Sequence, residues 1–459
     1  MVRRDLRFLI DFGSTFTKLT VVDLEEEVVM GRYQVPSTVG TDITIGLTQA
    51  LRAAEDHLGR AIGEKKNLLA CSSAAGGLRM ITVGLVPSLS SEAGVRAALG
   101  AGAKVVSSFS YELTLHDVME IDRISPDIIL LIGGTDGGNK QVILHNAERL
   151  SGLQCKAPII VAGNREARDG IEALFKGSEK LLVFADNVLP QIGVLEVDSS
   201  RDAIRRIFIS HIIKAKGIDK AIGIVDAAII PTPSAVLRAA ELLAGGTKTE
   251  EGLGELMVVD VGGATTDVYS IAGGEPTRSG AMIRGLPEPY AKRTVEGDLG
   301  VRHNIDSLLE MGRLTGNLNE RHFDEIRNRF SSPSKLPEDD LEFELDSLLA
   351  GVAVDIAGGR HCGQIKVIPA PSGELIVQTG KDLSAIRCVI GTGGPIVFAR
   401  DPGAVLRNIL FRANSPDMLR PKKAALYIDS TYALYAMGLL SQQEPDKALR
   451  IMKKVVKPV

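Results

Sequence analysis

The stretch IDFGSTFTKLTVVDL, Ile10 to Leu24, sets an aspartate, a glycine, small hydroxyl residues and a lysine between two apolar runs. Apolar and β-branched residues on both sides of a short Gly/Ser/Thr segment predict a β-hairpin. Such a turn has a second use. Glycine lets backbone N–H groups approach phosphate oxygens without a Cβ in the way, and serine and threonine add hydroxyl donors. In that reading Gly13, Ser14, Thr15 and Thr17 form a phosphate loop, Lys18 supplies a point charge, and Asp11 holds Mg²⁺ through its waters. Glycine and threonine are also ordinary hairpin residues, so this turn alone decides nothing.

The design returns at ELMVVDVGGATTDVYSI (Glu255–Ile271), where Asp260, Gly262, Gly263, Thr265, Thr266 and Asp267 repeat the form Asp-x-Gly, small polar residues, then a charged residue entering the next strand. Asp260 is the second candidate for water-mediated Mg²⁺. A third turn, VIGTGGP (Val389–Pro395), follows a strand and precedes a helical stretch. Its Gly391, Thr392, Gly393 and Gly394 would let ribose and adenine lie against the backbone, with a helix N-terminus favouring anions. Three such turns in this order point to nucleotide binding far more strongly than any one of them.

The bulk properties narrow the classes. At 459 residues the chain suits two or three packed units. A net charge of −4 without a long basic block excludes the footprint of a nucleic-acid binder. The N-terminal MVRRDLRFLIDFG is interrupted by Asp11 too early for a signal peptide, and no apolar run nears the roughly 18 residues that span a bilayer. A cytoplasmic protein is expected. Cys71, Cys155, Cys362 and Cys388 lie far apart with no zinc spacing, and read as reduced thiols; the alternative is that Cys362 beside His361 faces a pocket.

Along the chain, the opening reads βββαβ, with a helix over Ile43 to Leu58 and a buried strand at Asn67 to Ser73. Strands KVVSSF, DIILLIGG, PIIVAGN and KLLVFADN then alternate with helices, which implies a parallel sheet covered on both faces. The expected division is a first lobe over 1–100, a parallel α/β segment over 101–200, connecting helices over 201–250, a second lobe over 251–425 with a mostly helical part at 287–363, and C-terminal helices over 426–459 that return to the first lobe. AGGTKTEEGLGE is the expected interlobe boundary.

With those motifs in place, the chain resembles the actin, sugar kinase and heat-shock chaperone ATPases. The resemblance implies an α/β, two-lobed actin-like (ribonuclease H-like) fold with a parallel α/β insertion in its first half, clamping ATP and Mg²⁺ between the two phosphate hairpins. Carried over by position, Asp11, Lys18 and Asp260 are the residues nearest the chemistry, and the GTGG turn holds adenosine. PTPSAVLRAAELLAGG and YIDSTYALYAMGLL resemble the two helices connecting the lobes. One departure stands out. Chaperone-like members carry a Glu or Gln just before the first connecting helix to position the attacking water; here Thr232 and Pro233 occupy those places. General-base help of about 10²- to 10⁴-fold is then missing, and slow Mg-dependent hydrolysis is expected.

Within the superfamily, DFGSTFTK, LIGGTDGGN, VDVGGATTDV, VEGDLGVRHNI and GTGGPIVFA resemble the glutamate mutase accessory family, called GlmL or MutL and unrelated to the mismatch repair protein. That resemblance covers nearly the whole chain. It implies a chaperone-like reactivase or assembly factor whose partner is an adenosylcobalamin-dependent glutamate or ornithine mutase, and is compatible with a homodimer. Two rival readings stay open: a small-molecule kinase of the same superfamily, and a nucleotide-binding scaffold without turnover. LIGGTDGGN (Leu131–Asn139) reads equally as a ligand loop at the C-terminal sheet edge or as a βα turn in which Asp136 caps the next helix. Glu296, Asp298, Arg302 and His303 read as a solvated helix start in preference to a site, and Arg360 and His361 as cations offsetting a helix dipole.

Overall fold

The computed structural model describes residues 5–38, 41–59, 67–73, 78–208, 229–316, 318–330, 332–370 and 373–459. Two compact units divide the chain. One comprises Met1–Ala75, Gly217–Arg284 and Glu288–Val459, the other Gly76–Lys216 with Gly285–Pro287.

The larger unit holds two sheets of matching design. The first runs Val28–Pro36, Phe16–Asp23, Leu6–Phe12, Leu68–Ser72 and Ile230–Pro231 in spatial order. The second runs Ala291–Glu296, Thr266–Ile271, Leu256–Val261, Cys388–Thr392, Ala425–Asp429 and Val456–Pro458. In each, three strands form an antiparallel meander and the next two lie parallel to the first. Strand order 3-2-1-4-5 in both halves is the duplicated ribonuclease H-like arrangement of actin-type folds. The expected helix is Ile43–Leu58, capped at its start by Asp42, whose carboxylate accepts from the Thr44 N–H.

Between the sheets lie the two connecting helices, Thr232–Gly245 and Leu434–Leu440. Both are apolar on most sides, as suits largely buried helices, with Glu241 the exposed charge of the first. Ala235, Ala239, Leu243, Met437 and Leu440 join Leu9 and Leu69 of the first sheet and Val258 and Ile390 of the second in one core. The helices cross at Gly438, where a Cβ would sit 1.8 Å from the Ala235 carbonyl oxygen. Only glycine permits that approach.

Two strands within residues 251–425, the expected second lobe, depart from its main sheet. Gln364–Ala370 and Gly373–Thr379 pair with Ala281–Ile283 in a separate three-stranded sheet. The largely helical stretch contains Ile305–Leu314, Phe323–Arg329 and Asp340–His361, but opens on the strand Ala291–Glu296.

The smaller unit is an all-parallel sheet in the order Ala103–Ser110, Leu78–Gly84, Ile128–Leu131, Ile159–Val161, Leu182–Phe184. Its strand Leu78–Gly84, between Ala103–Ser110 and Ile128–Leu131, lies upstream of residue 101, so the α/β segment is longer than the sequence reading has it. The same apolar texture runs on both sides of residue 100, and no break in composition marks the boundary. Of the connecting helices expected over 201–250, the first forms over Asp198–Ile207; residues 209–228 lie outside those described. In the glycine loop, Asp136 does not cap the helix that follows it. Its carboxylate accepts from the Arg165 N–H and the Asn187 amide, while Asn139 accepts from the Val142 N–H at the start of the helix Gln141–Ser151. Among the described residues no helix is long and apolar enough to cross a membrane.

Candidate nucleotide site

The two hairpins share one register. Asp11 pairs with Lys18 across the first, and Asp260 with Asp267 across the second. Each turn closes with the same bond, Gly13 N–H to the Phe16 carbonyl at 3.1 Å and Gly262 N–H to the Thr265 carbonyl at 2.9 Å. The tips meet. A Cβ on Gly263 would come 3.0 Å from Thr15 Oγ1, and Thr15 Oγ1 lies 3.5 Å from His303 Nε2.

Side-chain alternation sorts the remaining candidates. Asp11 and Lys18 share one face of the first sheet. Thr17 takes the other face, fully buried against the helix Ile43–Leu58, where a Cβ on Gly46 would lie 2.9 Å from its hydroxyl. Likewise Thr266 is buried away from Asp260 and donates to the Leu299 carbonyl at 2.8 Å. Ser14 donates to the Ser73 carbonyl, and Ser37 donates to the Gly13 carbonyl, so the first tip is braced on two sides. Thr392 is also internal, its hydroxyl bonded to Asp429. Gly391 packs under Ile396 and Leu406. Gly393, at φ +90°, presses on the second hairpin; a Cβ there would meet the Val261 carbonyl at 2.1 Å and Asp260 Oδ1 at 2.7 Å. Gly394 begins the short helix Gly394–Val397.

Asp11 is buried with both oxygens engaged. Lys18 Nζ donates to Oδ2 at 2.9 Å and Thr232 Oγ1 to Oδ1 at 2.6 Å. Lys18 Nζ also donates to Tyr432 OH at 3.0 Å and sits 4.6 Å from that ring's centroid. Burial opposes the lysine charge, but Asp11 and Tyr432 together outweigh it, and the ammonium pKa is raised well above its ordinary value. Lys18 is therefore charged at neutral pH. Asp267 is neutralised from behind: Arg293 donates to Oδ1 through Nε at 2.8 Å, and Thr265 donates to Oδ2 at 2.9 Å. Asp260 has no hydrogen-bond or ion-pair partner among the described residues. Burial, and then the carboxylates of Asp267, Asp11 and Asp429, push its pKa up to about 7 against the pull of Lys18. An unpaired carboxylate facing like charges is where a cation would be held. No cluster of three or more metal-binding side chains occurs among the described residues.

The segment EGDLGVRHNI, read as a solvated helix start, instead backs the second hairpin. Val301 N–H donates to the Gly262 carbonyl, and Arg302 and His303 N–H both donate to that of Gly263. Arg302 is anchored on Asp346 at 2.5 Å. Arg360 grips Glu296 and Asp298. His361 is fully buried between Thr294 and Ser270, and burial lowers its pKa well below the ordinary value, so it carries no charge for the helix dipole. Cys362 lies in the core, where burial pushes its thiol up to about 12. All four cysteines are free thiols.

Sequence reading passed over Tyr432, Arg293 and Asp429. Tyr432 carried one signal, its place immediately before the second connecting helix. Arg293 carried none, because it meets Asp267 only through strand pairing; Asp429 carried a local one, since it accepts from the Leu434 N–H at the start of the helix Leu434–Leu440.

A family model described as MutL protein matches residues 7–456. Protein MutL of Clostridium tetanomorphum is 46% identical over 457 residues, which take in 98% of this chain and 99% of that one. Among solved structures, the activator of the 2-hydroxyisocaproyl-CoA dehydratase from Clostridium difficile with bound ADPNP is similar at TM-score 0.30 and 11% identity over 98% of each chain. Xylulose kinase from Bifidobacterium adolescentis is similar at TM-score 0.31 and 12% identity, over 99% of this chain and 94% of that one. Likenesses this faint carry no information about the site.

Proposed function

The chain belongs to the MutL protein family, and from that premise we propose that it is an ATP-binding accessory protein that acts as a reactivase or assembly factor for an adenosylcobalamin-dependent amino acid mutase. The observation that carries the nucleotide half of this reading is the meeting of two hairpins in one register, with Asp11, Lys18 and Asp260 at their base. Phosphates would lie between the tips, against the Gly13–Thr15 and Gly262–Thr265 backbones. The Lys18 ammonium would offset their charge, and Gly394, where a Cβ would meet nothing nearer than the Phe398 ring at 3.9 Å, would leave room for adenosine. Asp260, aided by Asp11, would hold Mg²⁺ through water, and the ion would neutralise charge on the phosphates. Binding across both sheets would favour closure of the lobes about the connecting helices and so alter the surface offered to the mutase.

The mutase half rests on family membership and on the resemblance of the five motifs to the glutamate mutase accessory proteins. A scaffold without turnover is the second reading. It is favoured by Thr232, whose hydroxyl is spent on Asp11 where a water-activating side chain would stand. ATP turnover measured with and without a glutamate or ornithine mutase separates the two: hydrolysis stimulated by the partner is expected, and tight binding with no turnover in either case would sink the reactivase in favour of the scaffold.

A further inference from the structure

The Asp11–Lys18 pair is held from two directions, and each hold comes from the start of a connecting helix. Thr232 opens the first helix and donates to Asp11 at 2.6 Å. Tyr432 stands two residues before the second, with its hydroxyl 3.0 Å from Lys18 Nζ and its ring beneath the ammonium. Tyr432 is also one of few non-glycine residues at positive φ, +52°, a conformation that persists where surrounding contacts over-determine it. Those contacts are the Lys18 bond and a stack in which Phe398 meets the Tyr432 ring edge-on at 6.3 Å while the Arg32 guanidinium lies 4.8 Å and 5.2 Å from the two ring centroids. The helices themselves are locked together where Gly438 touches the Ala235 backbone. Thr232 and Tyr432 are thus fixed relative to each other by a backbone contact that cannot slide without opening.

We infer that Thr232 and Tyr432 are positioning residues through which the two connecting helices aim the Lys18 ammonium. A change in the helix crossing is felt at the phosphate-facing charge without passing through the hairpin tips. This rests on the nucleotide reading of the site, but the network itself is a property of the protein alone.

Two measurements on the full chain test it. The first is a double-mutant cycle for Mg·ATP affinity by calorimetry. Tyr432→Phe keeps the ring and removes one charge-assisted hydrogen bond, so Kd should rise about fivefold; in a Lys18→Ala background the same change should shift Kd by less than about twofold. Thr232→Val should behave like Tyr432→Phe, and Thr232→Ser, which keeps the hydroxyl, should restore affinity. An equal shift in both backgrounds would assign Tyr432 a merely structural role, and an unchanged Kd in the wild-type background would also overturn the inference. The second measurement needs no nucleotide: acylation of Lys18 by an amine-reactive ester, followed by mass spectrometry. Tyr432→Phe should accelerate labelling of Lys18, and an unaltered rate would overturn the network. Faster labelling in a protein that binds no ATP would keep the network and remove the nucleotide reading.

Discussion

The two hairpins are alike in backbone and opposite in electrostatics. At the cross-strand position facing its aspartate, the first places Lys18 and the second places Asp267. The first therefore neutralises itself, with Asp11 satisfied by Lys18 and Thr232. In the second, Arg293 and Thr265 claim Asp267 from behind, and Asp260 is left unpaired. Under the proposed function one side would supply positive charge for phosphate and the other a carboxylate for a cation, so that the duplicated fold would divide the two halves of a Mg·phosphate site between its copies.

The largest expected effect comes from removing the guanidinium that allows this division. Arg293→Ala leaves Asp267 buried, unpaired and beside Asp260, and should cost about 3–5 kcal/mol in chemical denaturation. Adding Asp267→Asn should recover part of that loss; no recovery would show that Arg293 acts through packing instead. The turns themselves differ next. A Cβ on Gly13 would lie 2.5 Å from the Phe16 carbonyl, whereas on Gly262 it would lie 3.1 Å from that of Thr265. Gly13→Ala should thus cost about 2–3 kcal/mol and Gly262→Ala less than about 1 kcal/mol, and equal costs would contradict the asymmetry.

Asp260→Asn should act with the opposite sign. Its folded pKa of about 7 stands above the ordinary 3.8, so the native state prefers the protonated acid. Wild-type stability from this group is full below pH 3.8 and falls as pH rises towards 7. The amide escapes that loss, so Asp260→Asn should gain up to about 4 kcal/mol at pH 8 and nothing near pH 4, while weakening Mg·ATP binding. Stability profiles that run parallel across this range would show that Asp260 is not strained. The smallest effect is Thr265→Val, which removes one hydrogen bond to Asp267 and should cost about 1 kcal/mol; it should also raise the pH at which Asp260 titrates, read by carboxylate NMR.

Much of this was legible in the sequence because the decisive features are local. The hairpins, the GTGG turn and the helix Ile43–Leu58 all follow from glycine, hydroxyl and apolar spacing within one or two elements. What was not legible depends on distant partners. Arg293 reaches Asp267 from the neighbouring strand, and Tyr432 reaches Lys18 across 414 residues of chain. Lys381 is fully buried with its ammonium donating to the carbonyls of Ala272 and Tyr290, although a lysine in isolation reads as a surface residue. Thr17 and Thr266 show the converse. Their residue type suits a phosphate loop, but strand alternation turns them into the core. The boundary of the α/β unit was missed for a related reason: a parallel strand such as Leu78–Gly84 has the same apolar composition wherever it is assigned.

Calorimetric titration of Mg·ATP into the wild-type chain and its Lys18→Ala and Asp260→Asn variants tests the central claim most directly. A clamp divided between the hairpins predicts saturable binding by the wild type that weakens at least about tenfold in each variant, since each loses a charged partner. Absence of binding in the wild type, or the same affinity in all three proteins, would contradict it.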